Sequence, residues 1–347
     1  MTAVQPRLPW VDFTKGICIL LVVHFHVVFR DYVAIDWHSQ DVKNAWYDAA
    51  MALLPLRMPT FFLISGFLGA NALNRSLAEG ERGRVHSNIY LYCIWAPLFA
   101  VFFLWKGFGH WSAGLTLSAS LTQVLFASNP AWYVIALAIY FLIAFATRRF
   151  AWWVPAVLAL LLSVAADSVT SAAPWGVIVL CRNLVFFIIG IRLPFVVMAI
   201  AEGATIFRFL TILSVYVFAI FVATQGQLLG VRPLISFLAI PTALMGAVLA
   251  TRCRRVAKAG VWLGARTLPI YLLHFLIVPV IGHIARVYLG GLWTQSTLAA
   301  LLYPLVVTAS SVVLSLALYR GLRSIGCDWM FELPRRSLSG NTALARG

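Results

Sequence analysis

The stretch DFTKGICILLVVHFHVVF, residues 12–29, decides how this chain folds. Its apolar residues cover every side of a helix, over a length close to the ~20 residues that cross a bilayer. In hydrocarbon a helix satisfies its own backbone, so a transmembrane helix is the predicted element. Lys15 and His26 stand eleven positions apart in it. At 100° and ~1.5 Å per residue, His26 returns to within about 20° of Lys15 and ~16 Å further along the axis. One stripe then carries a cation at its start and a titratable ring much deeper. Such groups are costly in a membrane and mark a functional position. His24 points about 160° away from His26. Asp12, one turn before Lys15, is placed to pair with it; the plainer reading is a juxtamembrane ion pair with an interfacial histidine.

The rest of the 347 residues follows suit: 62% are hydrophobic, 11% are charged, and the mean hydropathy is +0.91. A soluble chain carries about twice that charged fraction. Apolar segments fall near 13–30, 49–73, 89–106, 130–147, 151–167, 174–192, 207–224, 234–250, 266–287 and 297–319. They predict an all-α, polytopic transmembrane bundle of about ten helices, and the absence of a period of two argues against a β-barrel. No small-x-small cleavage signal follows the first segment, so it is expected to be retained. Residues 1–320 are expected to form one transmembrane domain, and the basic tail 321–347 to be disordered or bound at the membrane surface on the cytoplasmic side. Cys18, Cys93, Cys181, Cys253 and Cys327 are scattered without CxxC spacing, so neither a metal site nor a disulfide framework is expected.

The formal charge of +15 sits in short turns between apolar runs, a pattern of topology rather than of nucleic-acid binding. With a cytoplasmic N-terminus, about 19 Lys and Arg fall in inner segments and 6 in outer ones, with Arg182 inside the membrane. Both termini are therefore expected in the cytoplasm, with Lys15 at the inner mouth and His26 toward the outer half. The first outer loop, 31–48, holds Asp31, Asp36, Asp41, Asp48, Trp37, Trp46 and Tyr47. That composition suits contact with a sugar, or a solvated loop with interface anchors.

Further chemistry-bearing positions lie on later segments. Arg57 stands near the outer end of the second helix, where Ser65 and Gly66 interrupt bulky residues and allow either close packing or entry of a substrate arm. Trp132 and Tyr133 begin the fourth, in the position of an aromatic belt, with a substrate-facing tryptophan as the alternative. Arg182 and Asn183 form a polar step in an apolar run, suited to a cavity. His274 lies mid-helix with Tyr271 one turn below, either satisfied by a neighbouring helix or forming a second wall of the path that contains His26.

Together the strings are similar to those of the acyltransferase-3 family of integral membrane proteins, and most resemble its branch of fucose 4-O-acetylase-like sugar acetyltransferases. Asp12, Lys15, Gly16 and His26 match the opening D-x-x-K-G and R/K-ten-His pattern. MPTFFLISGF, AWYVIAL and TLPIYLLH follow in the family's order. Many members carry arginine at the position of Lys15, which keeps the charge and changes the donor geometry. The resemblance implies no bound cofactor, acetyl-CoA (or another acyl-CoA) as cytoplasmic co-substrate, and a carbohydrate hydroxyl as extracytoplasmic acceptor. It implies a bacterial plasma membrane, with His26 as general base and Lys15, helped by Asp12, at the donor end. Arg182, Asn183 or Tyr271 would stabilise the oxyanion. Arg57, Ser65, Trp132 and His274 would line the pathway. A transporter of polar solutes or lipid-linked sugars is the alternative, although no internal repeat of the kind expected there is visible. A peptide- or antibiotic-directed acyltransferase would differ only in its acceptor.

Overall fold

Each apolar segment of the sequence contains a helix, as hydrocarbon demands of a backbone that cannot bond water. A computed structural model describes residues 8–73, 82–104, 116–168, 173–226, 230–288, 291 and 293–334. Its helices are α1 (Pro9–Arg30), α2 (Gln40–Ala52), α3 (Leu54–Gly69), α4 (Ser87–Leu104), α5 (Leu117–Leu125), α6 (Trp132–Ala146) and α7 (Trp153–Ser168). They continue as α8 (Trp175–Arg192), α9 (Pro194–Glu202), α10 (Ile206–Gly226), α11 (Arg232–Thr251), α12 (Arg254–Gly264), α13 (Thr267–Tyr288) and α14 (Thr297–Ser324). Among the described residues there is no strand. Among the described residues eight stretches are long and apolar enough to cross a membrane; α6 and α7 are apolar but shorter, at 15 and 16 residues.

Two expectations need correction. The segment 49–73 is not one helix: the chain turns at Leu53, between α2 and α3. Pro55 follows, and without an N–H it cannot continue the ladder of α2, whereas it fits the first turn of α3. The tail also begins as ordered structure rather than disorder. α14 runs to Ser324, and a 3₁₀ turn at Cys327–Met330 leads to Phe331, which is buried with its ring 4.8 Å from Tyr319 and 5.7 Å from Trp95. The Trp95 indole donates to the Met330 carbonyl at 2.6 Å, so apolar anchors hold 321–334 against α4. Residues 335–347 lie outside the described residues.

α1 is the central strut, packed against α3, α11, α12, α13 and α14. Helices in lipid gain little from hydrophobic association, so close packing and hydrogen bonds must hold them. Close packing joins α3 to α8: a Cβ on Gly66 would meet the Phe187 carbonyl oxygen at 2.3 Å, and one on Gly190 would meet that of Leu63 at 2.1 Å. α12 seats on the first turns of α1 in the same way, since a Cβ on Gly264 would lie 2.0 Å from the Asp12 carbonyl. α10 is the opposite case. It packs chiefly on α11 and leaves Phe207, Phe218 and Phe221 exposed, a surface suited to lipid.

Candidate functional site

The unbroken α1 holds Lys15 and His26 on one stripe, ~16 Å apart along its axis. His26 meets α13 there. Its ring centroid lies 5.5 Å from that of His274 and 4.3 Å from that of Phe275. His274 is fully buried, and its Nδ1 lies 2.9 Å from the Ile270 carbonyl. A carbonyl only accepts, so Nδ1 carries the proton. His274 Nε2 and His26 Nδ1 are buried with no hydrogen-bond partner among the described residues. A buried polar atom left in this state costs about 1–3 kcal/mol, which the fold tolerates where a ligand completes the set. His24 faces the other way, 3.2 Å from the Thr308 hydroxyl of α14 and against Trp46, as helical phase requires.

Arg57 enters the same region from α3. It is 7% exposed, and its guanidinium carbon lies 3.4 Å from the centroid of the Phe25 ring. That ring offers cation–π attraction, but Nε and Nη1 find no hydrogen-bond partner among the described residues. Arg57 and His274 are both within electrostatic reach of His26. Thr60, one turn further along α3, is fully buried with its hydroxyl also unpartnered there. Sequence reading passed over Thr60; the available signal was a hydroxyl three residues after an intramembrane arginine, on the same helical face.

A hydrogen-bonded chain backs this group. Ser65 Oγ donates to the Phe61 carbonyl (2.8 Å), so the Tyr133 hydroxyl is the donor in its 2.8 Å contact with Ser65. The Tyr133 N–H donates to the Tyr271 hydroxyl at 3.1 Å, and that hydroxyl donates to the Pro130 carbonyl. Tyr271 in turn lies 6.2 Å from His274, ring to ring. The Ser-Gly pair of α3 thus divides its work: Gly66 faces α8 while Ser65 faces α6. Trp132 does not sit on a lipid-facing belt; it is buried, 5.7 Å from Phe62 and 5.9 Å from Trp175.

Other candidates lie elsewhere. Arg182 pairs with Asp167 of α7 at 3.0 Å and lines a separate cavity, and Asn183 donates to the Val179 carbonyl of its own helix at 2.8 Å. Neither joins the histidines. Asp31 is not a solvated loop acid: it is fully buried, accepting from Arg286 at 2.5 Å and from the Tyr303 hydroxyl at 2.6 Å. Trp37 is buried beside it and donates to the Tyr32 carbonyl. At the other end of α1, Lys15 lies 3.5 Å from Asp12. α12 seats on this turn through Gly260 and Gly264, leaving Arg254, Arg255 and Lys258 exposed.

The site thus lies in a helical bundle with helices long and apolar enough to cross a membrane, a histidine pair and a buried arginine being set beyond a cationic end. The family profile described as Acyltransferase domain, acyltransferase-3, matches residues 8–320, and the chain belongs to that family. It is also 29% identical over 201 residues to "Inner membrane protein YcfT" of Escherichia coli strain K12, a match covering 52% of this chain. The matched region spans 55% of that relative's length. No solved structure matches this chain.

Proposed function

We propose that this protein is a membrane O-acyltransferase that moves an acetyl group from cytoplasmic acetyl-CoA to a hydroxyl of an extracytoplasmic sugar or glycan. The observation that carries the reading is the convergence of His26, His274 and Arg57, all with unpartnered buried nitrogens, ~16 Å along α1 from Lys15. A pantetheine arm is similar in length to that separation. Family membership, the apolar helices and the inner-membrane name of the relative support a place in the bacterial inner membrane. The positive-inside bias orients the Lys15 end toward the cytoplasm.

Donor phosphates meet Lys15 together with Arg254, Arg255 and Lys258, which α12 carries to the same end of α1. The thioester then lies beside His26. The neutral imidazole takes the proton of the attacking hydroxyl as its oxygen bonds to the thioester carbonyl carbon. Arg57 stabilises the resulting oxyanion, because Arg182, Asn183 and Tyr271 already hold other partners. Collapse breaks the carbon–sulfur bond, and the CoA thiolate takes the proton back from the imidazolium. His274 positions the pair.

The test uses inside-out membrane vesicles loaded with a glycan acceptor and given acetyl-labelled CoA from outside. Label on the acceptor with the wild type, and none with His26→Ala at equal protein level, is the expected result. Full transfer by His26→Ala would overturn the base assignment. Flux of a solute without any acyl transfer would favour a transporter instead.

A further inference from the structure

One buried hydroxyl on the helix of Arg57, that of Thr60, takes no part in the acyl transfer proposed at His26. A hydroxyl on a spanning helix ordinarily donates to the carbonyl one turn before it, which spares it from lying unpaired in hydrocarbon. Thr14, Ser65, Ser236, Thr242, Thr308 and Ser315 all do so here, at 2.6–3.0 Å. Thr60 has the Leu56 carbonyl in the same relative place and does not use it. Its side chain is fully buried, and Oγ1 has no hydrogen-bond partner among the described residues. Ser311 shares this state, but it lies on α14, the helix that receives His24.

The place of Thr60 in the bundle gives that free donor a direction. Phe25 of α1 meets Arg57 of α3, and Trp10 meets Phe67 with ring centroids 6.0 Å apart, so the two helices run antiparallel. Three residues past Arg57, Thr60 stands ~4.5 Å further along α3 and about 60° round it, on the Lys15 side of the arginine. Residues at this spacing have Cβ atoms about 5–6 Å apart, so a hydroxyl and a guanidinium can reach one atom between them. Arg57 offers Nε and Nη1, both unpartnered among the described residues. A thioester threaded from Lys15 past Thr60 to His26 brings its carbonyl to that place.

We propose that Thr60 is a catalytic residue, its hydroxyl donating a hydrogen bond to the oxyanion that Arg57 also stabilises. In a dry site one donor leaves most of the lone pairs of an oxyanion unmet. A second donor, already turned from its own helix, adds stabilisation as the charge develops. The proton stays on Thr60 throughout. The bond that forms joins the acceptor oxygen to the thioester carbon, the bond that breaks is carbon–sulfur, and His26 carries the proton from hydroxyl to thiolate. This role rests on the acyl-transfer reading of the same centre.

Thr60→Val and Thr60→Ser test it in glycan-loaded inside-out vesicles, with thermal unfolding of each purified chain in detergent alongside. Thr60→Val keeps the shape and removes the hydroxyl. It should lower kcat by about tenfold to a hundredfold with KM for acetyl-CoA unchanged, less than the loss of a charged donor. Its unfolding temperature should equal or exceed that of the wild type, since the fold loses only an unpaired polar group. Thr60→Ser should keep near wild-type kcat. A lower unfolding temperature for Thr60→Val would show the hydroxyl bonded in the resting fold and overturn the proposal, as would a kcat equal to that of the wild type. Acetyl label recovered covalently on Thr60 would make it a nucleophile and overturn it too. A wild type that transfers no label removes the acyl-transfer reading and this role with it, whereas equal transfer by wild type and Thr60→Val removes this role alone.

Discussion

His26 of α1 and His274 of α13 stand ring to ring at 5.5 Å, each with a buried nitrogen that no described residue bonds. Two neutral imidazoles so placed differ in freedom. His274 is fixed through Nδ1 by the Ile270 carbonyl, whereas His26 Nδ1 is buried with no hydrogen-bond partner among the described residues. Each ring keeps a nitrogen that can take up a proton, and the base is assigned to His26 because it shares the Lys15 stripe of α1. His26→Ala or His26→Gln is expected to lower acyl transfer by about 10²–10⁴-fold, the usual worth of a positioned general base. Labelled acetyl transfer in vesicles reads this directly. A loss under tenfold would count against it.

Arg57 should act on the transition state. Arg57→Met is expected to lower kcat by about 10²–10³-fold, with little change in KM for acetyl-CoA. Arg57→Lys should recover only part, because an ammonium keeps the charge and lacks the planar fork. A rise in KM with kcat intact would place Arg57 in substrate binding instead.

The Lys15 end should govern donor affinity. Lys15→Ala, and a double Arg255→Gln with Lys258→Gln, are each expected to raise KM for acetyl-CoA several-fold. Both should flatten its dependence on ionic strength, since exposed cation–phosphate contacts are screened by salt. Lys15→Arg should be near wild type. Unchanged KM in every variant would remove the donor from this end.

Gly66→Val should destabilise the bundle by about 1–3 kcal/mol or prevent its folding, because the added carbons meet backbone of α8 rather than a movable side chain. Ser65→Ala, on the neighbouring face, should fold normally while losing the bond to Tyr133. Thermal unfolding in detergent separates the two.

Asp31 anchors the end of α1 beyond His26. Asp31→Asn leaves Arg286 without its carboxylate and is expected to cost about 3 kcal/mol, the lower end for a buried pair because Arg286 is partly exposed. Asp31→Asn combined with Arg286→Gln should be less unstable than Asp31→Asn alone. An additive loss would mean the pair contributes nothing beyond its separate parts.

Much of this was legible from residue spacing. The period of a helix put Lys15 and His26 on one stripe and turned His24 away, and α14 receives His24 as that phase requires. Apolar run length located the helices, and Pro55 was the readable mark for the break at Leu53 that the apolar count overran. The tail was misread because its composition is basic, while the buried Phe331 ring and the Met330 backbone carbonyl hold its first part on α4.

The sequence by itself determined a membrane-spanning helical chain, its family resemblance, and the placing of Lys15 and His26 on one stripe. These follow from local quantities: hydrophobic run length, charge bias and a fixed angle per residue. The tertiary structure alone decided partners. It took Arg182 to Asp167, Asp31 to Arg286 and Trp132 into the core, and it left Arg57 facing the His26 region. Which buried polar groups are satisfied depends on helices far apart in sequence, so no local pattern could separate the arginine that is paired from the one that waits.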